Sequence, residues 1–134
     1  MKLELNRVEC PMVFEVTNEV GAKCTMDASV SIGGKDKGLR PMELLASGLA
    51  GCVAIDVLLI LEKQRMDTEL FKIDIEGKRV DGIPAPFESI QMTFEVDASV
   101  DKEKLSKNIQ LVLDKYCSVS ASLKEEIKIT YVLK

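Results

Sequence analysis

The sequence predicts an α+β fold with the element order βββ-α-ββ-α-β. Three observations carry that reading. Short segments alternate apolar and polar residues with period two; one long run is almost free of charge; and an amphipathic stretch near the end repeats with helical spacing. At 134 residues, 46% hydrophobic and 30% charged, the chain is sized for a single domain, residues 1–134, and has enough apolar material to fold.

Met1 to Glu9, Met12 to Thr17 and Lys23 to Val30 each place apolar side chains on every second residue, the mark of strands with one buried face. Pro11 separates the first two, and Asn18-Glu19-Val20-Gly21 supplies turn chemistry between the second and third. Gly33 to Gly38 reads as a flexible, solvated loop. Gly33 and Gly38 have phosphate-loop spacing, but Leu39-Arg40 follow where Lys-Ser/Thr is required, so no nucleotide is expected; no cofactor of another kind is expected either.

Pro41 suits the first position of a helix running from Met42 to about Arg65, about 24 residues or roughly 36 Å. Between Leu44 and Leu61 the one charged residue is Asp56, so the helix is apolar on nearly every side and needs cover all round. Its apolar run reaches the lower edge of the roughly 17 to 25 residues that span a membrane. A charge near its middle costs about 2.5 to 3.5 kcal/mol there, and no other segment looks membranous, so no membrane partner is expected.

Leu70 to Val80 and Phe87 to Val96 alternate again across a Gly- and Pro-containing connection, giving a second hairpin. Asp101 is placed to cap a helix from Lys102 to about Tyr116, in which Leu105, Ile109, Val112 and Leu113 recur at helical spacing. Ser118 to Leu123 adds a short helical turn, and Ile127 to Leu133 closes the chain as a strand. Six short strands in so small a chain are expected to make one sheet rather than two. A second subunit would then supply the other sheet, and Ser47, Gly48, Ala50, Gly51 and Ala54 offer a small-residue surface for close helix approach. The expectation is an intertwined homodimer with long central helices packed between two sheets.

Composition removes several kinds of chemistry. Lys and Arg number 18 against 22 Asp and Glu, a net charge of −4, and no basic run is present, so nucleic acid is not expected as a partner. The chain has no histidine, which excludes Ser-His-Asp and Cys-His catalysis and imidazole metal sites; no metal is expected. Cys10, Cys24, Cys52 and Cys117 are too sparse for a disulfide scaffold, and the charged start MKLELNRVEC is unlike a signal peptide. These features place the chain in the reducing cytosol with free thiols.

Free cysteine usually behaves as a small buried hydrophobe, and Cys10 and Cys24 are read that way. Cys52 differs because Ser47-Gly48-Leu49-Ala50-Gly51 before it leaves space beside the sulfur. Cys117 ends an amphipathic helix and is followed by Ser118, Ser120, Ala121 and Ser122. Two cysteines in such settings are candidates to meet in space as a redox pair.

Two segments resemble motifs of the OsmC/Ohr family of cysteine-based peroxidases. Arg40 to Val57, RPMELLASGLAGCVAIDV, is similar to the family's central-helix motif, and Lys115 to Val119, KYCSV, to its second-cysteine motif. The element order and length also match. The resemblance implies an intertwined dimer with active sites at the subunit interface. It implies that Cys52 attacks an organic hydroperoxide and that Cys117 resolves the sulfenic acid to a disulfide, which a dithiol reductant, for instance one of lipoyl type, reopens. A thiolate at neutral pH needs a cation nearby, and without histidine that must be Arg or Lys; Arg40 is the nearest arginine in sequence.

The glutamate that the peroxidases carry ten residues before the reactive cysteine is Met42 here, and Glu43 comes one residue later. Their arginine near the turn after the first strand is replaced by Val8-Glu9-Cys10-Pro11. Glu43 also has a plain structural reading, as a first-turn carboxylate favoured by the helix dipole. Asp56, one turn after Cys52, disfavours a thiolate there unless it is held elsewhere. The leading functional reading is a thiol peroxidase using Cys52, Cys117, Arg40 and Glu43. Against it stand a non-catalytic dimer that binds a small hydrophobic ligand or partner, and a thiol redox sensor.

Overall fold

In the computed structural model, which describes residues 1–66 and 68–134, the first sheet is an antiparallel meander of β1 (Leu3–Glu9), β2 (Val13–Asn18) and β3 (Lys23–Met26). Leu5 pairs with Val16, and Val16 with Cys24. Asn18 forms the turn between β2 and β3: its Oδ1 accepts from the amides of Val20 and Ala22, and Gly21 takes the left-handed φ of 83° that closes it.

β3 stops at Met26, four residues short of the Val30 expected from alternation, and Asp27 is the cause. Its buried carboxylate accepts from the amides of Ala28, Lys35 and Lys37, which turns the chain away from the sheet into a 3-10 turn at Val30–Ile32. Leu39 returns to the strand, donating to Thr25 O and accepting from Asp27 N. The Gly33–Gly38 loop is thus tied down rather than loosely solvated, and the Lys35 and Lys37 ammoniums both pair with Glu9. A Cβ on Gly34 would fall 1.8 Å from Ala28 O, so only glycine fits that crossing.

α1 (Pro41–Lys63) starts where Pro41 needs no hydrogen bond and Glu43 Oε2 accepts from Arg40 N at 2.9 Å. It ends where Arg65 turns left-handed, with the amides of Arg65 and Met66 donating to Glu62 O and Leu61 O. The chain divides within this helix into two compact units, Met1–Leu45 and Ala46–Lys134.

In the second unit β4 (Phe71–Arg79) and β5 (Phe87–Val96) pair antiparallel, and β6 (Lys128–Leu133) joins β5 in parallel. α2 (Lys102–Lys115) begins at the expected cap, with Asp101 Oδ1 accepting from Lys104 N, and α3 (Ser118–Ser122) is a short turn. The six strands therefore form two three-stranded sheets within one chain, and the expectation of a single sheet is corrected. The physical reason is β6. It pairs with β5 and so completes a sheet from strands that follow α1, while β1 to β3 satisfy one another as a local meander.

The largest fully buried side chains of the second unit come from three elements: Leu49, Val53, Val57 and Leu61 of α1; Ile90, Met92 and Phe94 of β5; Leu105, Ile109 and Val112 of α2. Phe94 meets the edges of Phe71 and Tyr131 at centroid distances of 6.0 and 6.4 Å. The amides of Gln64 and buried Asn108 bond reciprocally, joining the end of α1 to α2. α1 is covered on one side only. Its opposite face leaves Ile55 63% and Leu59 48% exposed, with Leu58, Gly48 and Gly51 beside them.

Candidate functional site

Cys52 lies in the middle of α1, half-buried, on the border between the covered face of Leu49 and Val53 and the open face of Gly51 and Ile55. Gly48, one turn before it on the same side, has no heavy atom within 4 Å of the place a Cβ would occupy. Space is therefore open beside the sulfur.

Cys117 is 3% exposed and sits where α2 ends. The amides of Tyr116 and Cys117 both donate to Val112 O, which stops the helix and turns the chain. Cys117 then caps α3: its Sγ accepts from Ser120 N at 3.3 Å. The small residues Ser118, Ser120, Ala121 and Ser122 after it allow so tight a turn.

The fold sets Cys52 near enough to Cys117 to bear on its ionisation. Burial pushes the Cys117 thiol above its ordinary value; the Ser120 amide works against that; and a side-chain interaction with Cys52, with the repulsion two thiolates would feel, pushes it up again. Cys117 is thus held as a protonated thiol, while Cys52 is the more accessible of the two.

Arg40 and Glu43 meet each other in the first unit. The Arg40 guanidinium pairs with Asp36 and approaches Glu43 Oε1 at 3.9 Å, and Glu43 also caps the start of α1 through the Arg40 amide. Arg40 has a second role nearby. Burial pushes the Asp27 carboxyl upward, but the amides of Lys35, Lys37 and Ala28, aided by the Arg40 charge, outweigh it and hold Asp27 below the usual carboxylate range.

The other two cysteines stand apart. Cys24 is half-buried in β3, its Sγ 3.8 Å from Thr25 O. Cys10 is exposed, which corrects its reading as a small buried hydrophobe: it sits past the end of β1, where no core faces it. Asp56 is half-buried one turn beyond Cys52, and among the described residues no hydrogen bond or ion pair reaches its carboxylate.

Residues 34–132 match the family model described as OsmC-like protein. The chain belongs to the OsmC-like family. It is 33% identical over 97 residues to Protein YhfA of Escherichia coli K12, covering 72% of each chain. Among solved structures, a hypothetical protein from Aquifex aeolicus VF5 superposes with a TM-score of 0.80 at 30% identity, covering 99% of this chain and 95% of that one. The organic hydroperoxide resistance protein OhrB of Bacillus subtilis shares the fold, with a TM-score of 0.70 at 16% identity, covering 99% and 96%. The OsmC-like match takes in Cys52 and Cys117 and begins within the Gly33–Gly38 loop.

Proposed function

We propose that this OsmC-like chain is a cytosolic thiol peroxidase that reduces organic hydroperoxides through Cys52 and Cys117, as a homodimer. The observation that carries the reading is the pairing of an accessible thiol with a buried, protonated one in a chain without histidine. Their unequal environments assign the roles. Cys52, beside open space, attacks the peroxide; Cys117, kept as a thiol until the sulfenic acid forms, resolves it.

Cys52 sulfur bonds to one peroxide oxygen as the O–O bond breaks, giving a sulfenic acid and an alcohol. Cys117 sulfur then bonds to Cys52 sulfur, releasing water. A dithiol, with lipoyl chemistry as one option, reopens the disulfide by exchange and is itself oxidised. The likeness in fold to OhrB supports the choice of substrate class, and the open face of α1 supports the dimer, since a second copy would cover Ile55, Leu58 and Leu59.

Turnover of cumene hydroperoxide with a dithiol reductant tests the proposal. The wild type should turn over and Cys52→Ser should lose activity by at least about 100-fold, since no other nucleophile replaces the thiolate. Full activity in the variant removes Cys52 from the role.

A second reading, in which this face of α1 takes a ligand in place of the second copy, is favoured by an open hollow of about 420 Å³ whose lining includes Ile55, Leu58, Leu59, Leu61, Glu62 and Met66. An apolar hollow of that size suits a small hydrophobic ligand bound without turnover. Such a binder would alkylate at Cys52 no faster at neutral pH than an unfolded thiol does.

A further inference from the structure

We propose that Asp56 is the proton carrier of the thiol pair, taking the proton of Cys52 and giving it to the oxygen that leaves the peroxide; this rests on the peroxidase reading above. Asp56 is the single charged residue between Leu44 and Leu61.

Other carboxylates near backbone turns are saturated. Asp27 accepts from three amides, and Asp97 accepts from Thr68, Glu69 and Leu70. Asp56 accepts from none of the described residues. Its oxygens are also not sealed: no enclosed side-chain oxygen or nitrogen among the described residues lacks a partner, so a half-buried carboxylate without one must keep access to solvent.

Residues four apart on a helix share a face, with Cβ atoms about 5–6 Å apart, so Asp56 reaches the Cys52 sulfur or its substrate directly or through one water. With histidine absent, it is the proton acceptor that α1 places beside the thiol. The chemistry needs one. Cleaving the O–O bond leaves an alkoxide, a far stronger base than a thiolate, and it departs as alcohol only with a proton. In the proposed step Cys52 sulfur forms the S–O bond, its proton passes to Asp56 and on to the departing oxygen, and the carboxylate is restored. Sulfur is oxidised by two electrons and the peroxide reduced by two. When Cys117 then displaces the hydroxyl from Cys52, the Cys117 proton leaves with it as water, again leaving Asp56 unchanged.

This role opposes the simple electrostatic one, in which Asp56 only repels the Cys52 thiolate. The two differ in sign. The experiment compares single-turnover oxidation by cumene hydroperoxide with alkylation of Cys52 by iodoacetamide, resolved by peptide mass, in the reduced wild type, Asp56→Asn and Asp56→Glu. Iodide leaves without a proton, and in the slower alkylation the thiol gives its own proton to solvent beforehand, so Asp56 is needed only where an oxygen must leave. The Asn variant should therefore lose about 100-fold or more of the peroxide rate, keep or increase its alkylation rate, and regain part of the peroxide rate as Glu. A peroxide rate in Asp56→Asn equal to or above wild type overturns the proposal, and so does an equal fall in both reactions, which marks a structural role. A wild type that alkylates at Cys52 yet consumes no peroxide overturns the peroxidase reading itself and this assignment with it.

Discussion

Asp97 gathers three hydrogen bonds on one oxygen, from Leu70 N at 2.9 Å, Thr68 Oγ1 at 2.9 Å and Glu69 N at 2.7 Å. They hold its carboxyl below the ordinary range, the Leu70 amide foremost, then Thr68 and Glu69. Because the folded value lies below the unfolded one, the stability this brings is present above the unfolded pKa, near 4, and is lost as pH falls through the folded one. Asp27 behaves alike for the loop that precedes Arg40. Cys117 has the opposite sign: a thiol raised by burial adds stability below the ordinary thiol range and loses it as pH climbs through its folded value. Melting temperature measured against pH checks the carboxylate. Asp97→Asn should melt lower than wild type at pH 6 and show a shallower decline below about pH 4; an unchanged slope would remove Asp97 from the acid response.

At the scale of elements, α1 sets the outcome. One face supplies Leu49, Val53, Val57 and Leu61 to the interior, and the other holds Ile55, Leu58 and Leu59 open to solvent with Gly48 and Gly51 bare beside them. Covering side chains of that size is worth about 1.5 to 3 kcal/mol each, and bare glycines let two helices approach to about 8 Å. That is the physical case for a second copy on this face. Light scattering should give twice the 14.8 kDa chain mass for wild type and the single mass for Ile55→Asp, which places a charge in the contact. A monomeric wild type at micromolar concentration contradicts the dimer.

At the scale of the whole molecule, the sequence shows most where local rules act alone. Period-two alternation located β4 and β5 to within a residue, Asp101 announced α2, and Pro41 announced α1, because each signal depends on neighbours a few positions away. Legibility ended where distant groups decide. Nothing local in Asp27-Ala28-Ser29-Val30 reveals that the Asp27 carboxylate will collect amides from Lys35 and Lys37 and end β3 early. The parallel pairing of β6 with β5, which makes the second sheet, is equally non-local. The site divides the same way. Cys52 and Cys117 were visible as candidates, but their meeting, and the cap that Cys117 forms on Ser120, needed the fold. The central claim is that these two sulfurs form one redox unit. Its most direct test is to treat the reduced protein with one equivalent of cumene hydroperoxide and map the peptides without reduction. The account predicts a single new species, a disulfide joining Cys52 to Cys117. Stable sulfenic or sulfinic acid at Cys52 with Cys117 still alkylatable, or a disulfide through Cys10 or Cys24 instead, would contradict it.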